Sequence, residues 1–518
     1  MKKNKLLLIP GVGLSVFHSG ASTAMMQSDS AFRPNIILIL ADDLGYGETG
    51  CYGQQKIETP NIDRLAAEGM RFTPHYSSSP VSAPARCSLL TGLHSGHSQI
   101  RGNDEWTERG DVYNYRAMLA DSTLEGQRPM ADNTVTIAGL LKEAGYRTAM
   151  TGKWGLGAPH TGSIPDKSGF DYFYGYNCQR QAHTYYPVHL YENTRRVLMG
   201  NDTVPPHTGL EPGVNPLDPE SYRKFTLHKN AGDAMEEAMF RFLEQNNPAL
   251  TGEPIFLYWA SPVSHVPIQA EGKWLDYYRN KFGPEEPYTG SSGYFPCLTP
   301  RAAYAAMISG FDEQIGRLLE WLEKEGISDN TLIIFTSDNG PSFSGGTDAE
   351  WFNSNGIYAE TFGRSKGFVY EGGIRVPMIA CWPGKIKPGT ISNHISAFHD
   401  YLPTLCQVAG ADATLTDGIS FLPELLGKKQ PSHKHLYWEL HEYGGLQAVR
   451  CGKWKGIRGD IFKGNMTIEL YNLKKDPGEL NNLAGRRKNM VRKMERLMRE
   501  SHAPAAIETF RFNFSGKQ

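Results

Sequence analysis

Residues 35–43 read Asn35-Ile36-Ile37-Leu38-Ile39-Leu40-Ala41-Asp42-Asp43. An unbroken apolar run rich in branched side chains marks a strand buried on both faces. It stops abruptly at two carboxylates. The same scheme recurs outward from it. Thr59, Pro60 and the 3.6-spaced Ile62, Leu65 and Ala66 predict a capped helix stopped near Gly69. Thr134 to Ala144, with Ile137, Leu140 and Leu141 on one side, predicts another helix ending at Gly145, and a strand follows from Tyr146 to Thr151. Pro254 to Ser261 (PIFLYWAS) and Thr331 to Ser337 (TLIIFTS) are further buried strands. Tyr304 to Glu325 carries the strongest helical pattern, with Met307, Ile308, Phe311, Ile315, Leu318, Leu319 and Leu322 on one side. Helices alternating with apolar strands predict an α/β body, a large mixed and mostly parallel sheet flanked by helices. Residues 100–130, 200–230 and 270–300 lack periodicity and are expected to be long loops of the kind that build sites.

After Pro423-Glu424-Leu425-Leu426-Gly427 the character changes. Strand-like pieces at His435 to Leu440, Leu446 to Arg450, Lys453 to Arg458 and Ile468 to Leu473 precede a charged amphipathic helix from Arg486 to Ser501. They predict a small four-stranded antiparallel sheet with one helix. The expected organisation is a large domain over residues 31–428 and a C-terminal subdomain over 429–518. At the other end, residues 1–24 read as an export signal: Lys2, Lys3 and Lys5, a short apolar stretch from Leu6 to Phe17, and the small residues Ser22-Thr23-Ala24. No later stretch approaches the ~20 apolar residues of a membrane span. The expected location is periplasmic or secreted, without a membrane-spanning segment.

The 518 residues include 53 basic and 55 acidic side chains, a net charge of −2, which leaves no basic footprint for nucleic acid. With 11% aromatic and 21% charged residues the chain is not disordered. Seven cysteines are far below a disulfide scaffold.

In open α/β sheets, ligands bind beyond the carboxyl ends of the strands. One strand ends in Asp42-Asp43 and another in Asp338-Asn339-Gly340. Each pair alone would serve as a turn cap. Brought together, three carboxylates and an amide oxygen repel unless a cation sits among them, and oxygen-only ligands select Ca²⁺ or Mg²⁺. Residues 79–92 read SPVSAPARCSLLTG. Ser82 is expected at the N-cap of a short helix with Pro84 just inside it. A capping serine needs no further role. A helix N-terminus also attracts anions, however, and Arg86 adds a planar cation, so an oxygen nucleophile here would face a tetrahedral anion beside the metal.

Ser82-x-Pro84-x-Arg86 with Leu89-Leu90-Thr91-Gly92 resembles the signature of the formylglycine-dependent sulfatases, of the alkaline-phosphatase-like superfamily. Further family-like blocks follow in family order: NIILILADDLGYG from Asn35, TGKWGLG from Thr151, SHVP from Ser264, SDNG from Ser337, KGFVYEGGIRVP from Lys366 and DPGELNNLA from Asp476. Together they span the chain from about Pro34 to Ala484. The resemblance implies that Ser82 is oxidised to formylglycine by a maturase. The hydrated aldehyde attacks sulfur with one hydroxyl, and the second expels sulfate, which a plain serine lacks. It also implies that Asp42, Asp43, Asp338 and Asn339 hold Ca²⁺ rather than Mg²⁺ as the Lewis acid. Arg86 would stabilise the hydrate, Lys153 and Lys366 would bind the sulfate oxygens, and His265 would protonate or orient the leaving oxygen. The large domain is then the catalytic one, and the substrate is a sulfated glycan of glycosaminoglycan or mucin type, with a galactose or N-acetylgalactosamine sulfate as the expected unit.

The chain departs from the pattern where many members have Lys-Trp-His-Leu-Gly. Here Lys153-Trp154-Gly155-Leu156-Gly157 lacks the histidine that helps deprotonate the hydrate. His183 is expected to fill the space at Gly155, and Arg180 and His183 to contact the sugar. Trp106, Tyr185, Tyr186 and Trp351 read either as a platform for sugar rings or as core. Two other functions fit the same motifs: a phosphonate or phosphodiester hydrolase of the superfamily, and a silent glycan-binding homologue. Cys51, Cys87, Cys178, Cys297, Cys381, Cys406 and Cys451 all lie outside the modified position, so the chain is a serine-type member.

Overall fold

A computed structural model describes residues 33–359, 361–413, 415–512 and 514. The expected export signal over residues 1–24 lies outside the described residues. The strands are β1 (Asn35–Ala41), β2 (Met70–Phe72), β3 (His75–Tyr76), β4 (Arg147–Lys153), β5 (Tyr172–Tyr176), β6 (His189–Glu192), β7 (Arg195–Leu198), β8 (Ile255–Ala260), β9 (Thr331–Ser337), β10 (Met378–Cys381), β11 (Thr390–Ser392), β12 (Ser396–Ala397), β13 (Leu436–Leu440), β14 (Leu446–Cys451), β15 (Trp454–Arg458) and β16 (Glu469–Asn472).

A ten-stranded sheet runs in the order β11-β2-β10-β9-β1-β8-β4-β5-β6-β7. Its centre is parallel: β1 pairs with β8 and β9, and β4 with β8 and β5. Antiparallel β10 and the β5-β6-β7 run make it mixed. All of β1, β8 and β9 is buried, and the two faces lead to separate cores. Ile37 and Ile39 pack with helices Pro60–Glu68 and Pro300–Lys324, while Ile36, Leu38 and Leu40 pack with Ser82–Thr91, Ile137–Glu143 and Tyr401–Ala409. This two-sided burial is why the strand reads as continuously apolar. Truncating one of these leucines to alanine would cost roughly 2–5 kcal/mol.

β13-β14-β15-β16 form the expected antiparallel sheet. One face takes Met494, Leu497 and Met498 of helix Lys488–Ser501. The other face, through Leu436, Trp438 and Ile457, packs on Tyr76, Val81, Val369 and Ile374. These four residues flank Ser82 and Lys366 in the chain, so this sheet braces the segments on which both are carried. Lys455, fully buried, sits 3.0 Å from both Glu371 and Glu479 and ties the sheet to the turn after Lys366.

Two expectations need correction. The long helix begins at Pro300, four residues before the expected start, because Pro300 occupies its first turn. Residues 100–130 and 270–300 contain helices Tyr115–Ala120 and Lys273–Phe282, which sequence periodicity did not reveal. All seven cysteines are free thiols.

Candidate active site

The carboxyl ends of three central strands converge, β9 and β1 side by side and β4 beyond β8. β1 delivers Asp42 and Asp43, β9 delivers Asp338 and Asn339, and β4 ends at Lys153. Helix Ser82–Thr91 starts against them. Ser82 is its first helical residue and not its N-cap, which is Val81, and no side chain caps there. The correction frees the hydroxyl. Ser82 Oγ donates to Asp42 Oδ1 at 3.1 Å and accepts from Lys153 Nζ at 3.4 Å. Asn103 supplies the capping contact from outside the helix, accepting from the Ala83 amide at 3.0 Å. The Asn103 amide in turn donates to Glu442 of the β13–β14 turn.

Arg86, one turn into the helix, is buried and holds the strand ends together. Its Nε and Nη2 donate to Asp338 Oδ2 at 3.2 and 3.1 Å, and Nη1 donates to the Lys153 carbonyl at 2.8 Å. Nη2 also lies 3.5 Å from Asp42 Oδ2, which ion-pairs with Lys153. Lys366 Nζ donates to Asp43 Oδ2 at 2.7 Å, and His265 Nε2 is 3.7 Å from the same oxygen. Asp43 is held at φ 64, with its amide donating to Asp338 Oδ1 and its Oδ1 accepting from Asn339 Nδ2 at 2.8 Å. Left-handed backbone in a non-glycine residue at such a centre is stored strain.

The electrostatics are divided within one cluster. Burial pushes the Asp42 carboxyl up, but the cations Lys153 and Arg86 overcome it and hold the group well below the carboxylate range. Burial, with the charge on Asp42, raises Asp43, and it lifts Asp338 to about 6 against Arg86 and Lys153. Burial lowers Lys153, and Asp42 only partly restores it. Lys366 is raised above its usual range because Asp43 outweighs burial. Burial and the neighbouring Lys366 keep the His265 imidazole neutral. Its Nδ1 is 2.5 Å from the Val266 carbonyl and must carry the proton, so the neutral ring presents Nε2 as an acceptor.

The residues fit a hard cation. Oxygens of Asp42 and Asp43 approach within 4.8 Å of one another and of a His265 ring nitrogen. The buried Asn339 Oδ1 has no hydrogen-bond donor among the described residues. An orphaned carbonyl oxygen beside clustered carboxylates is a donor set for Ca²⁺ or Mg²⁺.

His183 and Arg180 lie on the turn Gln179–His183 after β5. His183 joins the site, its ring stacked on His265. Arg180 lies apart from the acidic cluster, over the Tyr113 ring at 4.7 Å with Nη2 donating to the Tyr113 carbonyl at 3.1 Å. The expectation that His183 fills the space at Gly155 is wrong. Gly155 has φ +72, and a Cβ there would meet Gln179 Cγ at 2.6 Å, so Gln179 occupies that space. Tyr185 and Tyr186 are buried core, and Trp351 packs on Phe282 and Phe352, so they form no sugar platform. Two residues escaped sequence reasoning: His207 and Tyr294, each in an aperiodic loop. Both surround His183, at 5.4 and 5.1 Å between ring centroids, and both have positive φ. Lone aromatic residues in loops leave no periodic signal.

The sulfatase family model matches residues 34–411, and a model of the C-terminal region of N-sulphoglucosamine sulphohydrolase matches residues 362–503. N-acetylgalactosamine-6-sulfatase of Canis lupus familiaris is 32% identical over 433 residues, covering 82% of this chain and 71% of that one. N-acetylgalactosamine-6-O-sulfatase of Bacteroides thetaiotaomicron is 28% identical, covering 95% and 98% of the two chains. Among solved structures, Ps i-CgsB aligns with a TM-score of 0.69 and 26% identity, over 90% of this chain and 92% of that one. The chain belongs to the sulfatase family, whose members are sulfuric ester hydrolases.

Proposed function

We propose that the protein removes sulfate from sulfated glycans outside the cytoplasm, with Ser82 converted to formylglycine and Ca²⁺ held by Asp42, Asp43, Asp338 and Asn339. The observation that carries this reading is the Ser82 hydroxyl, 3.1 Å from the Asp42 carboxylate and 3.4 Å from Lys153 at the start of a helix. It supports a modified atom beside the metal and next to a lysine that would bind a sulfate oxygen. Conversion of Ser82 would supply a nucleophilic hydroxyl and an exit for sulfate, and Ca²⁺ would supply Lewis acidity.

The rest falls to the chain's own residues. Arg86 keeps Ser82, Asp338 and Lys153 in one arrangement through its three donors. Lys153 and Lys366 are drawn from their carboxylates toward the anionic substrate and offset charge on its oxygens. His265, neutral with Nε2 open, would take the proton that the attacking hydroxyl gives up and pass it to the leaving oxygen. With Gly155 and Gln179 in place of the family histidine, no imidazole stands at that position. His183 and Arg180 are assigned to the sugar. Relatives acting on N-acetylgalactosamine 6-sulfate support a galactose or N-acetylgalactosamine sulfate as the unit. The test is hydrolysis of 4-nitrophenyl sulfate against 4-nitrophenyl phosphate, followed by N-acetylgalactosamine 6-sulfate. The sulfate esters are expected to be the preferred substrates, and faster turnover of the phosphate would move the protein to phosphoryl transfer.

A further inference from the structure

A cavity of about 290 Å³ opens beside the site, between the segment after Lys366 and the C-terminal sheet. Its lining includes Phe368, Tyr370, Tyr443, Asp460, Thr467 and Glu469. Tyr443 joins the cavity to the site. Its ring lies against Gly367, the residue after Lys366, so closely that a Cβ there would come within 2.8 Å of it. Tyr443 is 51% exposed and held at φ 52, although Gly444 and Gly445 follow directly and would adopt that backbone freely. Asp460, which lies against Gly444 and lines the same cavity, is also left-handed at φ 53. Two strained, non-glycine side chains facing one solvent-open cavity point to a role in binding and not in folding.

The polar groups say what would bind. Glu469 Oε2 accepts from both Tyr370 and Tyr471 at 2.7 Å, which leaves Oε1 with no partner among the described residues. Asp460 Oδ1 pairs with Lys463, and its Oδ2 is likewise open. Aromatic faces with carboxylate acceptors suit a ring that offers C–H faces and hydroxyl donors. Among the described residues no lysine or arginine lines the cavity, and the cations beside it are engaged, Lys463 by Asp460 and Arg364 by the Tyr370 ring and the Glu479 carbonyl. We propose that this cavity is a second sugar subsite, taking an uncharged, unsulfated sugar next to the sulfated one in the same glycan. The inference rests on the sulfatase reading above and narrows it to glycans whose sulfated unit has a neutral neighbour.

The experiment compares kcat/KM for sulfate release from three substrates: 4-nitrophenyl sulfate, N-acetylgalactosamine 6-sulfate, and a trisaccharide with that unit flanked by neutral sugars. The wild type is expected to favour the trisaccharide over the monosaccharide at least tenfold, through KM. Thr467→Trp, at an exposed position in the lining, fills the cavity. It is expected to abolish that preference while leaving 4-nitrophenyl sulfate within twofold. Equal values for the two sugars in the wild type, or a preference that survives T467W, overturns the subsite. Failure to release sulfate from 4-nitrophenyl sulfate removes the sulfatase reading itself, a separate result.

Discussion

The imidazole of His183 lies on that of His265, ring centroids 5.4 Å apart and planes 14° from parallel. The buried His183 Nδ1 has no hydrogen-bond partner among the described residues. Stacking fixes the orientation of His265, and the open nitrogen is left for substrate. His183→Phe keeps the stack and removes the nitrogen, so KM for a sulfated sugar should rise about tenfold, the worth of one neutral hydrogen bond, with kcat within threefold. His183→Ala removes both and should lower kcat as well. Steady-state kinetics on both variants separates the two contributions, and unchanged turnover in both would end the assignment.

Arg86 is buried against two buried carboxylates. Removing one partner of such a cluster strands the others, a loss of about 3–5 kcal/mol. Arg86→Ala should lower the melting temperature and eliminate sulfate release. Arg86→Lys should recover part of the stability but not the activity, because a single ammonium cannot reach Asp338 and the Lys153 carbonyl together. Differential scanning calorimetry beside an activity assay checks both.

Stripping divalent cations should abolish activity, and Ca²⁺ should restore it better than Mg²⁺. A ligand bound only by the folded state raises thermal stability, so Ca²⁺ should also raise the melting temperature of the stripped enzyme. Asn339→Ala deletes the orphaned oxygen and should weaken Ca²⁺ binding about tenfold, close to 1.4 kcal/mol, measurable by titration calorimetry.

Stability should fall in mild acid for reasons away from the site. Burial holds His75 and His94 at about 3 and His399 at about 4, while the unfolded chain protonates each near 6.5. A folded state that refuses protons the unfolded state takes is at full stability above pH 6.5. It loses stability as pH falls from there toward 4, by up to roughly 1.4 kcal/mol per pH unit for each histidine. His97, raised by its hydrogen bond to Asp417, opposes the trend. Melting temperatures from pH 7 to 4.5 should decline in the wild type and decline less in His75→Gln.

The fold was legible in the sequence wherever burial is two-sided or periodic. β1, β8 and β9 announce themselves because every residue is covered. The four C-terminal strands and their helix were visible through alternation and turn spacing. The acidic cluster was legible because its residues end strands, which is a local property. Ser82 was misplaced by one position because helix-start signals do not distinguish N-cap from first turn when Pro84 lies two residues on. Gln179 behind Gly155, and His207 and Tyr294 around His183, were illegible. Those contacts join residues from separate loops, and nothing local to either partner encodes them.

The claim beneath all of this is that Ser82 is the modified residue. Its most direct test is the mass of the peptide spanning Ser82, taken from protein produced in cells that hold the maturase. Oxidation of the serine alcohol to the nucleophile's aldehyde form removes two hydrogens, so the account requires a peptide about 2 Da lighter than the encoded sequence. A peptide carrying only unmodified serine, in protein that still releases sulfate, would contradict it.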